Sequence, residues 1–256
     1  MYFKSTLAAL ASLAAFSQGL NITVTQPNTP FAPSPLPPSH AQSDGSAIIA
    51  AFQTLGRTTV WRLVSAVPFQ GETWEPEGMV RLSDDRYIVS AGEYTSPTIK
   101  YPNSSIINGT DRTAGAGFAH LIVFDGNGAR IADSTLTKPG DVEYHNGGLD
   151  YDGRWIWATL AQYRPNTTAR VVRVDPTSLT AQTILHYDDH LGGIVHDVQK
   201  GQIAALNWGA RNATMWQLGR NNQVLRREST VRNPSYFIDY QDCKFWAMRQ
   251  HMVDAV

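Results

Sequence analysis

His145-Asn146-Gly147-Gly148-Leu149-Asp150-Tyr151-Asp152 and His190-Leu191-Gly192-Gly193-Ile194-Val195-His196-Asp197 are nearly the same motif, 45 residues apart. A fixed period of this size marks one supersecondary unit copied along the chain. Downstream of the first copy, Gly153-Arg154 leads into Trp155-Ile156-Trp157-Ala158; downstream of the second, Gln199-Lys200-Gly201 leads into Ile203-Ala204-Ala205-Leu206. Asp-Gly between apolar runs is a strong hairpin signal. Both copies continue into a second hairpin. Arg170-Val171-Val172-Arg173-Val174 turns at Asp175-Pro176-Thr177-Ser178 into Ala181-Gln182-Thr183-Ile184-Leu185, and Met215-Trp216-Gln217-Leu218 turns at Gly219-Arg220-Asn221-Asn222 into Val224-Leu225.

An earlier copy has looser spacing. Glu75-Pro76-Glu77-Gly78-Met79-Val80 passes through Ser83-Asp84-Asp85 into Tyr87-Ile88-Val89-Ser90, and His120 to Phe124 turns at Asp125-Gly126-Asn127-Gly128 into Ala129-Arg130-Ile131. An insertion over 95–117, rich in Asn, Ser, Thr and Gly, separates its two hairpins. A fourth copy begins at Asn233-Pro234-Ser235-Tyr236-Phe237-Ile238-Asp239 and turns at Gln241-Asp242 into Cys243-Lys244-Phe245-Trp246. Four short antiparallel strands per 40–50 residues, roughly, is the pattern of a β-propeller blade. A β-sandwich also has many short strands, but it need not repeat one motif at one phase. The expected fold is therefore all-β: an incomplete β-propeller of about four recognisable blades, as in a truncated six-bladed ring. The lone Cys243 suggests a missing partner in an exported chain, in line with truncation; a buried free thiol is the alternative.

The ends carry their own signals. Residues 1–19 have a short basic start, an apolar run and the small residues Ser17-Gln18-Gly19, the pattern of a signal peptide. The apolar run is too short to span a bilayer, which takes about 20 residues. Residues 20–46 read as a Pro-rich linker or surface strap, 47–246 as blades and 247–256 as a tail matching no blade. Within these, 47–55 suggests a short helical turn, and Thr58 to Val64 a leading strand that would complete the last blade. Five sequons, at Asn21, Asn103, Asn108, Asn166 and Asn212, agree with a secreted, extracellular glycoprotein. The charge is balanced, 21 Lys plus Arg against 22 Asp plus Glu, which gives no reason to expect a nucleic-acid or membrane partner.

Aligning Gly148 with Gly193 puts His145 on His190; the same column holds Glu75 in the first copy and Asn233 in the last. Innermost strands of a propeller line its axis, so these four residues would form a ring at one mouth. Imidazole suits Zn, Mn or Fe, and carboxylate or amide oxygen suits Ca or Mg, so the ring is a candidate site for one divalent metal of open identity. Such an ion would support hydrolysis. Glu77, Glu93, Asp150, His196 and Asp239 lie on or beside the same strands and are candidates for substrate binding. The same column can instead serve only to satisfy strand ends and ordered water, with the Gly pair relieving crowding. Asp152 and Asp197 recur at one phase too, where a turn-forming role is the simpler reading.

The Glu75-Pro76-Glu77-Gly78 segment and the two His-x-Gly-Gly motifs resemble a group of uncharacterised secreted fungal and bacterial proteins with propeller-like repeats, over roughly Val60 to Phe245. More distantly the chain is similar to the gluconolactonase and strictosidine-synthase type of six-bladed propeller. That resemblance implies an axial divalent cation held by Glu, Asn and Asp. Glu75 and Asn233 match in kind, whereas His145 and His190 depart from the all-oxygen pattern. Two classes of function follow: a metal-dependent hydrolase of the lactonase or esterase sort acting on a small molecule, or a non-catalytic propeller that binds glycan or protein through loops such as 95–117.

Overall fold

The computed structural model describes residues 21–39, 45–234 and 240–244. A short strand β1 (Asn21–Val24) and a helix α1 (Gly45–Gln53) precede the repeats. The first sheet contains β2 (Glu75–Ser83), β3 (Arg86–Ser96), β4 (Ala116–Asp125) and β5 (Arg130–Thr135), in the order β1-β5-β4-β3-β2. The second contains β6 (His145–Asn146), β7 (Asp150–Tyr151), β8 (Ile156–Ala161), β9 (Ala169–Val174) and β10 (Ala181–Tyr187). Here β6 and β7 are two halves of one strand, both paired with β8 and interrupted at Gly147-Gly148-Leu149. The third is a meander of β11 (Leu191–Asp197), β12 (Gln202–Asn207), β13 (Asn212–Leu218) and β14 (Val224–Arg232). All pairings are antiparallel.

Successive meanders packed face to face in chain order are propeller blades, and the protein is all-β with that architecture. Alternate residues of a strand point to opposite faces, so one blade can serve two cores. In the second blade Ile156, Ala158, Leu160, Val172 and Val174 pack on Val80, Leu82, Leu121 and Val123 of the first. Trp157, Ala161 and Val171 turn the other way, onto Leu191, Ile194, Ile203 and Trp216 of the third. A sandwich would bury one core between two sheets; two separate cores between three sheets identify blades. The strands that carry the repeated motif, β2, β6–β7 and β11, open each meander.

Two parts of the leader differ from expectation. Thr58 to Val64 forms no strand, and Val60, Trp61, Leu63 and Val64 are all exposed. A strand exists only where an edge accepts its hydrogen bonds, and the last-blade edge it would need is not among the described residues. Instead β1, from the Pro-rich leader, adds a fifth strand to the first sheet, with Ile22 opposite Ser134. The rest of the leader packs as a strap: Phe31 and Leu36 rest on the first core, and the Tyr151 hydroxyl donates to the Pro37 carbonyl at 2.8 Å. Val67, Phe69 and Trp74 cover the outer face of the first blade, where Phe69 stacks on Phe124 at 4.4 Å.

The expected signal peptide (1–19), Asp239 and most of the fourth copy, and the tail (247–256) lie outside the described residues. Gln241 to Lys244 are described and run along the inner strands. The Asp242 carboxylate accepts from the backbone N–H of Leu149 at 3.1 Å and of Met79 at 3.4 Å, and the Lys244 ammonium donates to the Leu149 carbonyl at 2.7 Å. Cys243 is a free, half-buried thiol beside Gly193, and burial pushes its pKa up to about 11, with Asp242 adding to the effect. Such a thiol is inert at neutral pH. No described helix is long and apolar enough to cross a membrane.

Candidate functional site

His145 opens β6 and His190 immediately precedes β11, so equivalent strand starts deliver both imidazoles to one place. Their ring centres are 5.3 Å apart and tilted by 52°. His190 Nδ1 lies 2.7 Å from the Gln162 carbonyl oxygen. A carbonyl only accepts, so Nδ1 carries the proton and Nε2 keeps a lone pair. Burial pushes the His190 pKa down to about 3, the neighbouring His145 adds to this, and the Gln162 bond opposes it. The ring is therefore neutral across the physiological range.

His145 is different. It is 3% exposed, yet neither ring nitrogen has a hydrogen-bond partner among the described residues. Glu77 Oε1 stands 3.2 Å from Nε2, near enough for an ion pair but misaligned for a hydrogen bond. An unsatisfied buried polar group costs about 1–3 kcal/mol, so this ring calls for a functional explanation.

Aromatic rings wall the pair. Tyr163 stacks on His145 at 5.0 Å, Trp208 meets His190 edge-on at 4.9 Å, and Tyr163 and Trp208 touch each other at 5.3 Å. Over them lies the 95–117 insertion. Its Gly109 carbonyl accepts from the Asn166 side chain at 2.7 Å, and its Arg112 guanidinium sits 5.5 Å from the Tyr163 ring and 4.9 Å from the Trp208 ring. Asp111 holds that guanidinium by bonds of 2.8 and 2.9 Å, which raises the Arg112 pKa and lowers that of Asp111. The partly open cavity between His145, Tyr163, His190, Asn207, Trp208 and Tyr240 measures about 60 Å³.

The structure separates the other expected residues. A bulge between Pro76 and Gly78 shifts the register of β2, so Glu77 faces His145 while Glu75 accepts a short hydrogen bond from the Tyr94 hydroxyl. Glu75 still borders the cluster, because Tyr94 packs edge-on against Tyr144 and Tyr163. Burial, then Glu75, raises the Tyr94 pKa; burial above all pushes that of Tyr144 up to about 12, its hydroxyl having no hydrogen bond among the described residues. Asn233 follows the outer strand β14, where its side chain donates to the Ala210 carbonyl at 3.0 Å.

Asp150 and His196 lie five and six residues along the chain from the paired histidines; by their pairing with β8 and β12 they stand four and about five strand positions away, roughly 13–17 Å at the rise of a β-strand. There Asp150 accepts the His196 backbone N–H at 2.8 Å, and His196 Nδ1 bonds Asp152 at the same distance. Glu93 is on the second strand of the first blade, 3.1 Å from His120 Nε2. Asn21, Asn103, Asn108 and Asn166 are exposed, and Asn212 is partly buried in β13. Among the described residues no three His, Cys, Asp or Glu side chains form a complete metal-holding group.

Sequence reasoning did not single out Gln162, Tyr163, Trp208 or Arg112. Tyr163 and Trp208 carried a usable signal, since they too are 45 residues apart and follow equivalent strands. Arg112 carried none, because its position depends on how an irregular insertion folds back.

Among solved structures the chain is similar to the periplasmic gluconolactonase PpgL of Pseudomonas aeruginosa, at 13% identity and a TM-score of 0.36 over 61% of this chain. The chain spans about half the length of that protein, 54%. No curated protein matches. A family model described as a family of unknown function (DUF6454) matches residues 37–254, most of the chain, and the protein belongs to that family.

Proposed function

We propose that this protein is an exported hydrolase of ester or lactone bonds in small molecules, and that His145 and His190 hold one divalent metal ion at the mouth of the propeller. The observation that carries the reading is the pair of buried imidazoles: one with its proton fixed on Nδ1 by a backbone carbonyl, the other with neither nitrogen hydrogen-bonded among the described residues. Donation of the second ring N–H to a carbonyl is what orients a metal-ligating histidine and sets its tautomer. Two nitrogens with a carboxylate nearby fit zinc, manganese or iron better than calcium. The cavity, with about 60 Å³ accessible to water against the roughly 10–15 Å³ that one water needs, admits an ion with its bound water.

A divalent ion bound there supplies Lewis-acid polarisation of a carbonyl and a more acidic bound water. The chain's own groups do the rest. Glu77, buried beside His145, is the carboxylate placed to accept a proton. Tyr163 and Trp208 offer apolar ring surface on which a substrate can be oriented, and they limit access of water. Arg112, paired with Asp111, closes over these two rings and helps hold them in place. The leader and the five sequons support export.

The test is metal content and turnover on a panel of lactones and aryl esters. One ion per chain is expected, with His145→Ala and His190→Ala each weakening metal binding at least about tenfold and abolishing turnover. Asn233→Ala should leave both unchanged. Failure to bind any of zinc, manganese or iron would overturn the metal reading, and glycan capture untouched by the histidine substitutions would favour a binding propeller.

A further inference from the structure

We propose that a cavity at the outer edge of the first blade seats a glycan attached to the chain's own Asn21. The cavity measures about 450 Å³ and is lined by Asn21, Glu93, Phe118, Thr135, Thr137 and Pro139. Asn21 is exposed and opens the sequon Asn21-Ile22-Thr23, so the attachment point stands on the wall of the cavity itself. The inference rests on the export reading, because the modification is made on exported chains.

The lining suits a neutral sugar. Phe118 supplies an apolar ring for the C–H face of a pyranose. Among the described residues Glu93 is the only charged group in the lining, and its side chain is 32% exposed. One of its oxygens is tied to His120 Nε2 at 3.1 Å, and His120 Nδ1 is held by Asp133 at 2.9 and 3.2 Å. Trp74 stacks flat on the imidazole at 3.8 Å and 17°. This buried relay fixes the orientation of a carboxylate, whose second oxygen can accept a hydroxyl or acetamido N–H. A negative lining disfavours anionic ligands.

Attachment joins the Asn21 carboxamide nitrogen to the anomeric carbon of a lipid-linked oligosaccharide diphosphate. An N–C bond replaces the C–O bond, and one amide proton leaves with the diphosphate. The tether then holds the first sugars near the cavity at an effective concentration on the order of millimolar, so weak contacts suffice. The consequence is mechanical. β1 has four residues and one partner strand, with Asn21 opposite Thr135. A glycan bridging Asn21 to Phe118 and Glu93 would clamp it across β5 onto β4 and β3.

The test uses the protein secreted from eukaryotic cells, with glycopeptide mass spectrometry at every sequon and amide hydrogen exchange of β1. Asn21 should be occupied. Asn21→Gln and Thr23→Ala should each speed exchange of β1 about fivefold, a change typical of one aromatic contact. Phe118→Ala should do the same in the glycosylated protein and add nothing in the Asn21→Gln background, the signature of coupled sites. Glycans at other sequons with Asn21 bare, or additive effects of the two substitutions, would overturn the proposal while leaving export intact. Absence of glycan at all five sequons would overturn it as well, whereas failure of the chain to reach the medium would count against export.

Discussion

A methyl group on Gly147 would run into the Gly192 carbonyl oxygen and stand 2.8 Å from Thr159 Oγ1; one on Gly78 would lie 2.7 Å from the Leu149 nitrogen. At Gly148 it would come within 2.7 Å of Asp242 Cα. Here the inner strands meet, and the Gly148 N–H donates across blades to the Gly192 carbonyl at 2.8 Å. Gly147 and Gly148 are therefore a packing requirement, and they bring His145, two positions before Gly147, into register with His190; at Gly192 in the second copy a methyl group would meet nothing nearer than 3.7 Å. Gly147→Ala should destabilise the protein by about 3 kcal/mol, the upper range for overpacking, seen as a lower urea midpoint at unchanged slope. Gly56→Ala, with open space around it, is the control and should shift the midpoint by less than about 0.5 kcal/mol. Equal effects of the two would contradict the close approach.

At the scale of elements, hairpins joined by local turns were legible and capping segments were not. Asp175-Pro176-Thr177-Ser178 turns between β9 and β10 as its composition requires, with the Asp175 carboxylate accepting the Thr177 N–H at 2.8 Å. The information for such a turn lies within a few residues. β1 and the 67–74 segment depend on a surface built some fifty to a hundred residues later, and four residues of alternating character are too few to announce a strand. Trp74 shows how much that segment matters. It holds a positive φ of 49°, is fixed by a hydrogen bond from its N–H to Glu72, and covers the buried His120. Trp74→Ala should cost about 3 kcal/mol, at the lower end for buried aromatic truncations, and lower the melting temperature in a calorimetric scan. No change would mean that the first blade does not need its cover.

Across the whole molecule, blades are locked together by polar contacts at the end of the inner strands away from the histidine pair. Asp152 belongs to the second blade and forms its turn, accepting the backbone N–H groups of Arg154 and Trp155 at 2.8 and 2.7 Å. Its other oxygen takes Trp157 Nε1 at 2.6 Å and reaches into the third blade to His196 at 2.8 Å. The turn-forming role expected from sequence is thus joined by an inter-blade one. Burial would raise the Asp152 pKa, but the bonds from His196 and Trp157 and the two backbone N–H groups outweigh it, leaving the value below the ordinary 3.8. The folded state then binds fewer protons than the unfolded one, so this contribution is complete above about pH 4 and is lost as pH falls through the lowered folded value. Asp152→Asn should cost about 3 kcal/mol at pH 7, as for one broken member of a buried pair, and the deficit should shrink towards pH 2 in urea titrations. A deficit independent of pH would rule out the carboxylate as its source.

By itself the sequence determined the architecture and the pairing of His145 with His190, because a 45-residue period superposes equivalent strands and needs only local alternation and turn chemistry to be read. Tertiary structure decided which side chains complete that pair. The bulge in β2 substitutes Glu77 for Glu75, the folded-back insertion brings Arg112 over Tyr163 and Trp208, and Gln162 sets a proton through its backbone, which no side-chain pattern records. Those contacts arise from register shifts and loop paths, quantities set by the packing of distant segments rather than by the residues that display them.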